Sequence, residues 1–119
     1  MAVWSRDELD RLYKIRDCGE TVVVNVRRGH ENLIGGAKFH GRFTYIGRGS
    51  KWGNPFRMGV DGDRSTVIHK YRQYLLHQPE LLAALGELRG HALGCYCAPE
   101  ACHGDVLIEI ITERFASAA

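Results

Sequence analysis

The chain lacks any apolar run of the roughly 18 to 20 residues that a membrane-spanning helix needs. Its start also lacks the apolar segment of a secretory signal peptide. The net charge is only +2, so whole-molecule charge does not favour binding to nucleic acid or to a membrane surface. We therefore expect a cytoplasmic protein with reduced thiols and no membrane partner, in which any anion site comes from local clustering of basic residues.

Length and composition indicate one folded domain. The 119 residues fall in the range of about 100 to 150 residues that is common for domains. A hydrophobic fraction of 45% and a charged fraction of 25% are ordinary for a globular protein. Residues 1–20 are expected to form an N-terminal helical extension, because Ser5 and Glu8 have the spacing of a capping box. Residues 21–116 are expected to form an α/β core, and the sequence does not indicate an oligomeric state.

Three short apolar segments are typical of buried β-strands, and each is followed by a helical pattern or a loop. The predicted strands are residues 21–26, 43–46 and 91–97, and the later helices start near Asp63, at Pro79 and near His103. Residues 30–41 hold three glycines and predict a long loop with a short strand near 37–40. The pattern favours an α/β fold with a small, mainly parallel, Rossmann-like sheet of three or four strands flanked by helices.

A cysteine cluster ends the third predicted strand. Within nine residues lie Cys95, Cys97, Cys102 and His103, which include three of the four cysteines. Such a cluster indicates a metal site or thiol chemistry in a cytoplasmic protein. Three interpretations stay open. In the first, Cys95 is a small buried hydrophobe. In the second, the four residues bind zinc as a Cys3His set. In the third, Cys97 or Cys102 is a nucleophile with His103 as its base or charge partner. On a strand, Cys95 and Cys97 share one face and Tyr96 faces the other.

A glycine-rich loop with the sequence GRGSKWGNPF follows the second predicted strand. Its glycines allow backbone amides to form an anion nest, and Arg48 and Lys51 add positive charge. Trp52 is expected to stack on a base that Asn54 reads by hydrogen bonds. The alternative is a surface loop in which Trp52 and Phe56 are packed as hydrophobic plugs. The loop does not fit the full spacing of a P-loop or of a dinucleotide-binding motif.

The three strand ends should meet at one rim, because ligands in open α/β sheets bind beyond the carboxyl ends of the strands. The acid/base candidate Glu100 belongs to the turn after the third strand. The catalytic candidates are Cys97, Glu100, Cys102 and His103. The ligand-binding candidates are Arg27, Arg48, Gly49, Ser50, Lys51, Trp52, Gly53, Asn54, Arg64 and Asp105.

Four stretches of the chain resemble a family of small phage and bacterial proteins known only as a domain of unknown function. They are VVNVRR, YIGRGSKWGNPF, DRSTVIHKYRQYL and ELRGHALGCYCAPEACHGDVL. The resemblance covers Val22 to Glu109 and leaves the N-terminal helix outside. It implies an α/β domain whose motif residues build one site, and it implies no particular reaction. On this chain those residues are Arg48, Gly49, Trp52, Gly53, Asn54, Pro55, Arg64, Cys97, Cys102, His103 and Asp105.

The leading hypothesis is a small enzyme that acts on a nucleotide or nucleoside-like ligand, by N-glycosidic cleavage or transfer. The loop from Gly47 to Asn54 holds phosphate or sugar in this hypothesis, and the turn from Cys97 to His103 supplies the reacting group. One alternative is a zinc-binding module, with Cys95, Cys97, Cys102 and His103 as ligands, that contacts nucleic acid. The other is a thiol or redox protein. Zinc is the one cofactor that any of these hypotheses requires.

Overall fold

The structure is a computed structural model that describes residues 3–27, 29–97 and 100–115. It has α-helices and β-strands in alternation, which confirms the α/β class predicted from the sequence. In chain order they are α1 (Arg6–Asp17), β1 (Val22–Asn25), α2 (Glu31–Phe39), β2 (Phe43–Tyr45), α3 (Arg64–Leu76), α4 (Pro79–Ala84), a 3-10 helix (Leu85–Leu88), β3 (Ala92–Cys95) and α5 (His103–Phe115).

The three strands form one parallel sheet in the order β1-β3-β2. The central strand β3 is buried along its whole length, which explains its apolar sequence. Gly94 is aligned with Val24 on one side and with Tyr45 on the other. A Cβ atom at Gly94 would lie 2.6 Å from side-chain atoms of Phe43 and Val26, so this position requires glycine. Because all strands run the same way, Asn25, Tyr45 and Cys95 end at one edge of the sheet.

Helices cover both faces of the sheet. Side chains along a strand alternate between the faces, so Val22 and Val24 join an apolar cluster with residues of α1 and α2, such as Ile15 and Leu33. Val23 joins the larger cluster on the opposite face, which is built mainly from α3, α5 and the 3-10 helix. None of the helices in the described ranges is long and apolar enough to cross a membrane.

The predicted loop over residues 30–41, with a strand near 37–40, is wrong, because residues Glu31–Phe39 form the helix α2. Glycines have low helix propensity, but here Gly36 allows close packing against the start of the chain. A Cβ atom at Gly36 would lie only 2.9 Å from Cη2 of Trp4. The tertiary contact therefore outweighs the local preference for a loop.

The predicted capping box of α1 is present, and its carboxylate also reaches a second helix. Glu8 Oε1 accepts a hydrogen bond from the Ser5 amide at 3.1 Å, and Glu8 Oε2 accepts one from the Leu33 amide of α2 at 2.9 Å. Burial would raise the pKa of Glu8, but the hydrogen bonds from Leu33 and Ser5 outweigh it and lower the pKa below its ordinary value. Arg11 donates to the Val23 carbonyl, which covers the open edge of β1. These contacts attach α1 to the core.

Candidate ligand-binding site

A pocket of about 450 Å³ lies at the carboxyl ends of the three strands. Ligand sites commonly have volumes of about 300 to 1,000 Å³, so the pocket can hold a small molecule. Its walls come from Arg27 after β1, from the loop after β2, from the residues after β3, and from the starts of α3 and α5. The strand-end segments that the sequence predicts to share a rim therefore share one pocket.

Three arginines line this pocket, and none of its described lining residues is Asp or Glu. Arg64 Nη1 donates to the Ala101 carbonyl at 2.8 Å, which fixes the guanidinium beside the turn that precedes α5. The guanidinium carbon of Arg27 lies 5.0 Å from the ring centroid of Tyr96, a cation–π contact. Arg48 is exposed and makes no ion pair within the described part of the chain. The pocket thus has a positive potential without a lining carboxylate to compensate it.

His103 is a neutral base at the floor of the pocket. Its Nε2 lies 2.7 Å from the Ile46 carbonyl and must carry the proton, because a carbonyl oxygen only accepts. Burial lowers the pKa of His103, although the bond to Ile46 opposes the shift. Nδ1 accepts no hydrogen bond from a described residue. Every fully buried polar side-chain atom in the described ranges has a hydrogen-bond partner. Since Nδ1 has no such partner, it is not fully buried and keeps contact with solvent. It can therefore accept a proton from a bound ligand or water.

The thiols of the cluster differ in their surroundings. Cys95 and Cys102 are buried, with their Sγ atoms 3.4 Å apart. Their hydrogen bond, together with burial, raises the pKa of the Cys102 thiol far above its ordinary value. Cys102 is only 3% exposed and its Sγ atom contacts Cys95 and the Gly104 amide, so its thiol is less available to a ligand than that of Cys97 and its catalytic role stays a prediction. Cys97 is half-buried and lines the pocket, so it is the accessible thiol of the three.

Cys102 and Asp105 have a structural role at the start of α5. The Cys102 amide donates to Oδ2 of Asp105 at 2.9 Å, and the Gly104 amide donates to Sγ of Cys102 at 3.2 Å. The bond to Asp105 is one half of a capping box, and the thiol of Cys102 caps the Gly104 amide in place of the usual hydroxyl. Asp105 does not line the arginine-rich pocket. It lines a separate depression beside α1, together with Glu100, so neither carboxylate lies where the sequence predicts it.

Trp52 is a core residue in this structure. Only 2% of its surface is exposed, and its carbonyl accepts a hydrogen bond from the Tyr71 hydroxyl at 2.8 Å. The expected stacking of a base on Trp52 is therefore wrong for this conformation, and the alternative of a hydrophobic plug describes its position. Lys51 is also outside the pocket, where it forms an exposed ion pair with Glu87.

The other residues of the glycine-rich loop shape the backbone or line the pocket. Ser50 donates from both its amide and its hydroxyl to the Gly47 carbonyl, at 3.1 and 2.7 Å. Gly49 has a φ of +94°, which favours glycine. A Cβ atom at Gly53 would lie 2.9 Å from the Gly47 carbonyl oxygen. Asn54 lines the pocket, but its side chain bridges the Val67 carbonyl and the Phe56 amide.

The four residues proposed as zinc ligands do not fit a metal ion in this structure. His103 Nε2 is bonded to the Ile46 carbonyl, and Sγ of Cys102 contacts Cys95 and the Gly104 amide. Among the residues that the structure describes, no group of three or more His, Cys, Asp or Glu side chains has the geometry of a metal site. The Cys3His arrangement is not formed.

Aromatic lining residues are the part of the pocket that sequence reasoning missed. Tyr45 and Tyr96 meet edge to face with ring centroids 6.3 Å apart, and Phe56 lies on the same pocket. The sequence predicts Tyr96 on the opposite face from Cys97, because the pattern predicts a strand that continues to Cys97. Since β3 ends at Cys95, the alternation of faces stops there and both residues reach the pocket.

The chain belongs to a family described as a domain of unknown function, DUF4326, which matches residues 23–113. The matched region begins within β1 and leaves α1 outside. The chain is also 36% identical over 75 residues to an uncharacterized 12.4 kDa protein in the nrdA-td intergenic region of Enterobacteria phage T4. That similarity covers 59% of this chain and 68% of the phage protein. No solved structure matches the chain significantly. The resemblance to a phage-related family of unknown function is confirmed.

Proposed function

We propose that the protein is a small enzyme that acts on a nucleotide or nucleoside-like ligand. The observation that carries this proposal is the pocket itself: about 450 Å³, three arginines, and no carboxylate among its described lining residues. The thiol of Cys97 and the neutral imidazole of His103 lie on the same pocket and supply groups that can react. Anion binding and reactive groups in one cavity favour an enzyme over a passive binding surface.

The ligand is oriented by the charges and rings of the pocket. The guanidinium groups bind its anionic part by charge-assisted hydrogen bonds. Tyr45, Phe56 and Tyr96 offer aromatic surface to a base, which is the role that the sequence assigns to Trp52. Met58 and Ile68 add apolar surface to the same cavity, so a ligand with both a charged and a flat apolar part is matched best.

N-glycosidic cleavage or transfer is the proposed reaction. Cys97 Sγ forms a bond to C1′ of the sugar while the bond from C1′ to the base nitrogen breaks, and the base leaves with the electron pair. His103 Nδ1 takes the thiol proton through one bridging water, because no hydrogen bond joins the two described side chains, and returns it to the leaving base. Water or an acceptor hydroxyl then attacks C1′ and the Cys97 thiolate leaves, with His103 again carrying the proton.

An assay for released base tests this proposal. The protein is incubated with the common nucleosides and their 5′-monophosphates, and free base is measured by chromatography. We expect turnover with at least one compound, and Cys97→Ser is expected to reduce it by about 100-fold or more. The matched control is Cys18→Ser, because Cys18 is an exposed thiol on α1's C-terminal cap, outside the pocket.

Binding and metal analysis on the same sample separate the alternatives. A ligand at 100 times its Kd stabilises a protein by about 2.7 kcal/mol, so a bound nucleotide raises the melting temperature measurably. If no nucleotide, nucleoside or sugar phosphate shifts it and none is consumed, the proposed function is wrong. One zinc ion per chain, together with binding of oligonucleotides alone, would support the zinc-binding module instead.

A further inference from the structure

We infer that Arg48 and Arg64 form a phosphate subsite, so the substrate class is a nucleotide with a terminal phosphate rather than a nucleoside. This inference rests on the proposed function and narrows it. A nucleoside would leave all three guanidinium groups of the pocket without a counter-charge. A phosphate monoester carries close to two negative charges at pH 7 and accepts several hydrogen bonds at once. Arginine is the side chain whose geometry suits such bidentate binding.

The loop sequence holds Arg48 at the tip of a tight turn. The Ser50 amide donates to the Gly47 carbonyl, which closes a four-residue turn from Gly47 to Ser50. Gly49 is the third residue of this turn and has the positive φ that a type II turn requires there. The Ser50 hydroxyl adds a second bond to the same carbonyl. The sequence GRGS therefore builds a fixed support for an arginine that lines the pocket and has no ion-pair partner in the described ranges.

Arg64 is positioned from another element, the first turn of α3. Its bond to the Ala101 carbonyl uses one Nη1 proton and leaves the other donors of the guanidinium available. The neighbouring carboxylate of Asp63 does not neutralise it in a salt bridge within the described residues. Asp63 instead caps α3, where Oδ1 accepts a hydrogen bond from the Thr66 amide at 2.9 Å. The two arginines thus keep their full charge for a ligand.

Arg27 supplies the third charge and links the subsite to the aromatic part of the pocket. It lies over the ring of Tyr96, which in turn meets Tyr45 edge to face. This arrangement places the third cation of the pocket against the rings that are proposed to face the base. A site with several unpaired donors discriminates strongly against an analogue that lacks the matching acceptor.

Calorimetric titration of nucleoside 5′-monophosphates, the parent nucleosides and inorganic phosphate tests the subsite. We expect a monophosphate to bind about tenfold or more tightly than its nucleoside, as charge-assisted hydrogen bonds imply. Arg48→Gln is expected to remove most of that difference in affinity. Arg48→Lys keeps the charge but loses the paired N–H donors of the guanidinium group, so it is expected to remove only part of the difference. The matched control is Arg57→Gln, an exposed arginine in the segment that follows the loop and outside the pocket. Since Arg48 is itself exposed, its variants should fold normally.

The outcomes distinguish this inference from the proposed function. Equal affinity for nucleoside and monophosphate, unchanged by Arg48→Gln, overturns the phosphate subsite and leaves the proposed function standing. If monophosphates, nucleosides and inorganic phosphate all fail to bind, both the phosphate subsite and the proposed function are wrong. Binding of inorganic phosphate as tight as that of any nucleotide supports the subsite but overturns the assignment to nucleotides.

Discussion

Replacing Trp52 with alanine is expected to lower the free energy of unfolding by about 3 to 5 kcal/mol, the usual cost of removing a buried aromatic side chain. The indole belongs to the larger apolar cluster, beside Tyr71 and the inward face of α5. Its removal leaves a cavity that the surrounding helices and sheet can fill only in part. Urea denaturation followed by circular dichroism measures the loss.

Trp52→Phe is the matched control for this substitution. Phenylalanine retains most of the buried area, so the variant should keep most of the stability and, under the proposed function, an unchanged nucleotide affinity. A stable Trp52→Ala variant that folds normally but loses nucleotide binding would show instead that the indole is part of the ligand site, as the sequence alone predicts.

Glu8→Gln is expected to destabilise the protein by about 2 to 3 kcal/mol near pH 7, because an amide cannot replace both carboxylate oxygens. Oε1 and Oε2 each accept from a backbone amide, and the glutamine NH₂ group would face one of these donors. The contribution depends on pH with a definite sign. Since the folded pKa of Glu8 lies below its ordinary value of 4.5, the stabilisation is present above that value and is lost as the pH falls through the folded pKa.

Denaturation at several pH values measures this dependence. The difference in stability between the native protein and Glu8→Gln should shrink as the pH is lowered below about 4.5. Glu20→Gln serves as the control, because Glu20 is exposed in the segment between α1 and β1. A difference that stays constant from pH 7 to pH 3, or one as small as that of the control, would contradict the role of Glu8 as a shared helix cap.

The sheet and the shared rim of its strand ends could be predicted, because the residue composition of each strand segment matches its buried position in the fold. The β-branched run of β1 and the apolar run of β3 have the composition that buried parallel strands require. The caps at Ser5 and Asp63 were visible because each side chain bonds to an amide only three residues away. Once the strands are parallel, the position of their carboxyl ends follows from topology alone.

Other features depend on contacts that no local pattern shows. The helix α2 packs through Gly36 against Trp4, a residue 32 positions earlier. The burial of Trp52 depends on Tyr71 and the whole larger cluster. Cys102 and Asp105 have the three-residue spacing of a capping box, a local pattern that predicts the bond from the Cys102 amide to the Asp105 carboxylate.

We propose that the strand ends form one pocket that binds a nucleotide through its arginines. Backbone amide chemical shifts, recorded by NMR during titration with a nucleoside 5′-monophosphate, locate the binding site. We expect saturable shifts concentrated at Arg27, at Gly47 to Ser50, at Arg64 and at Cys97, with little change in α1. Shifts centred on the depression between α1 and Asp105, or no saturable shifts at all, would show that the proposed site is wrong.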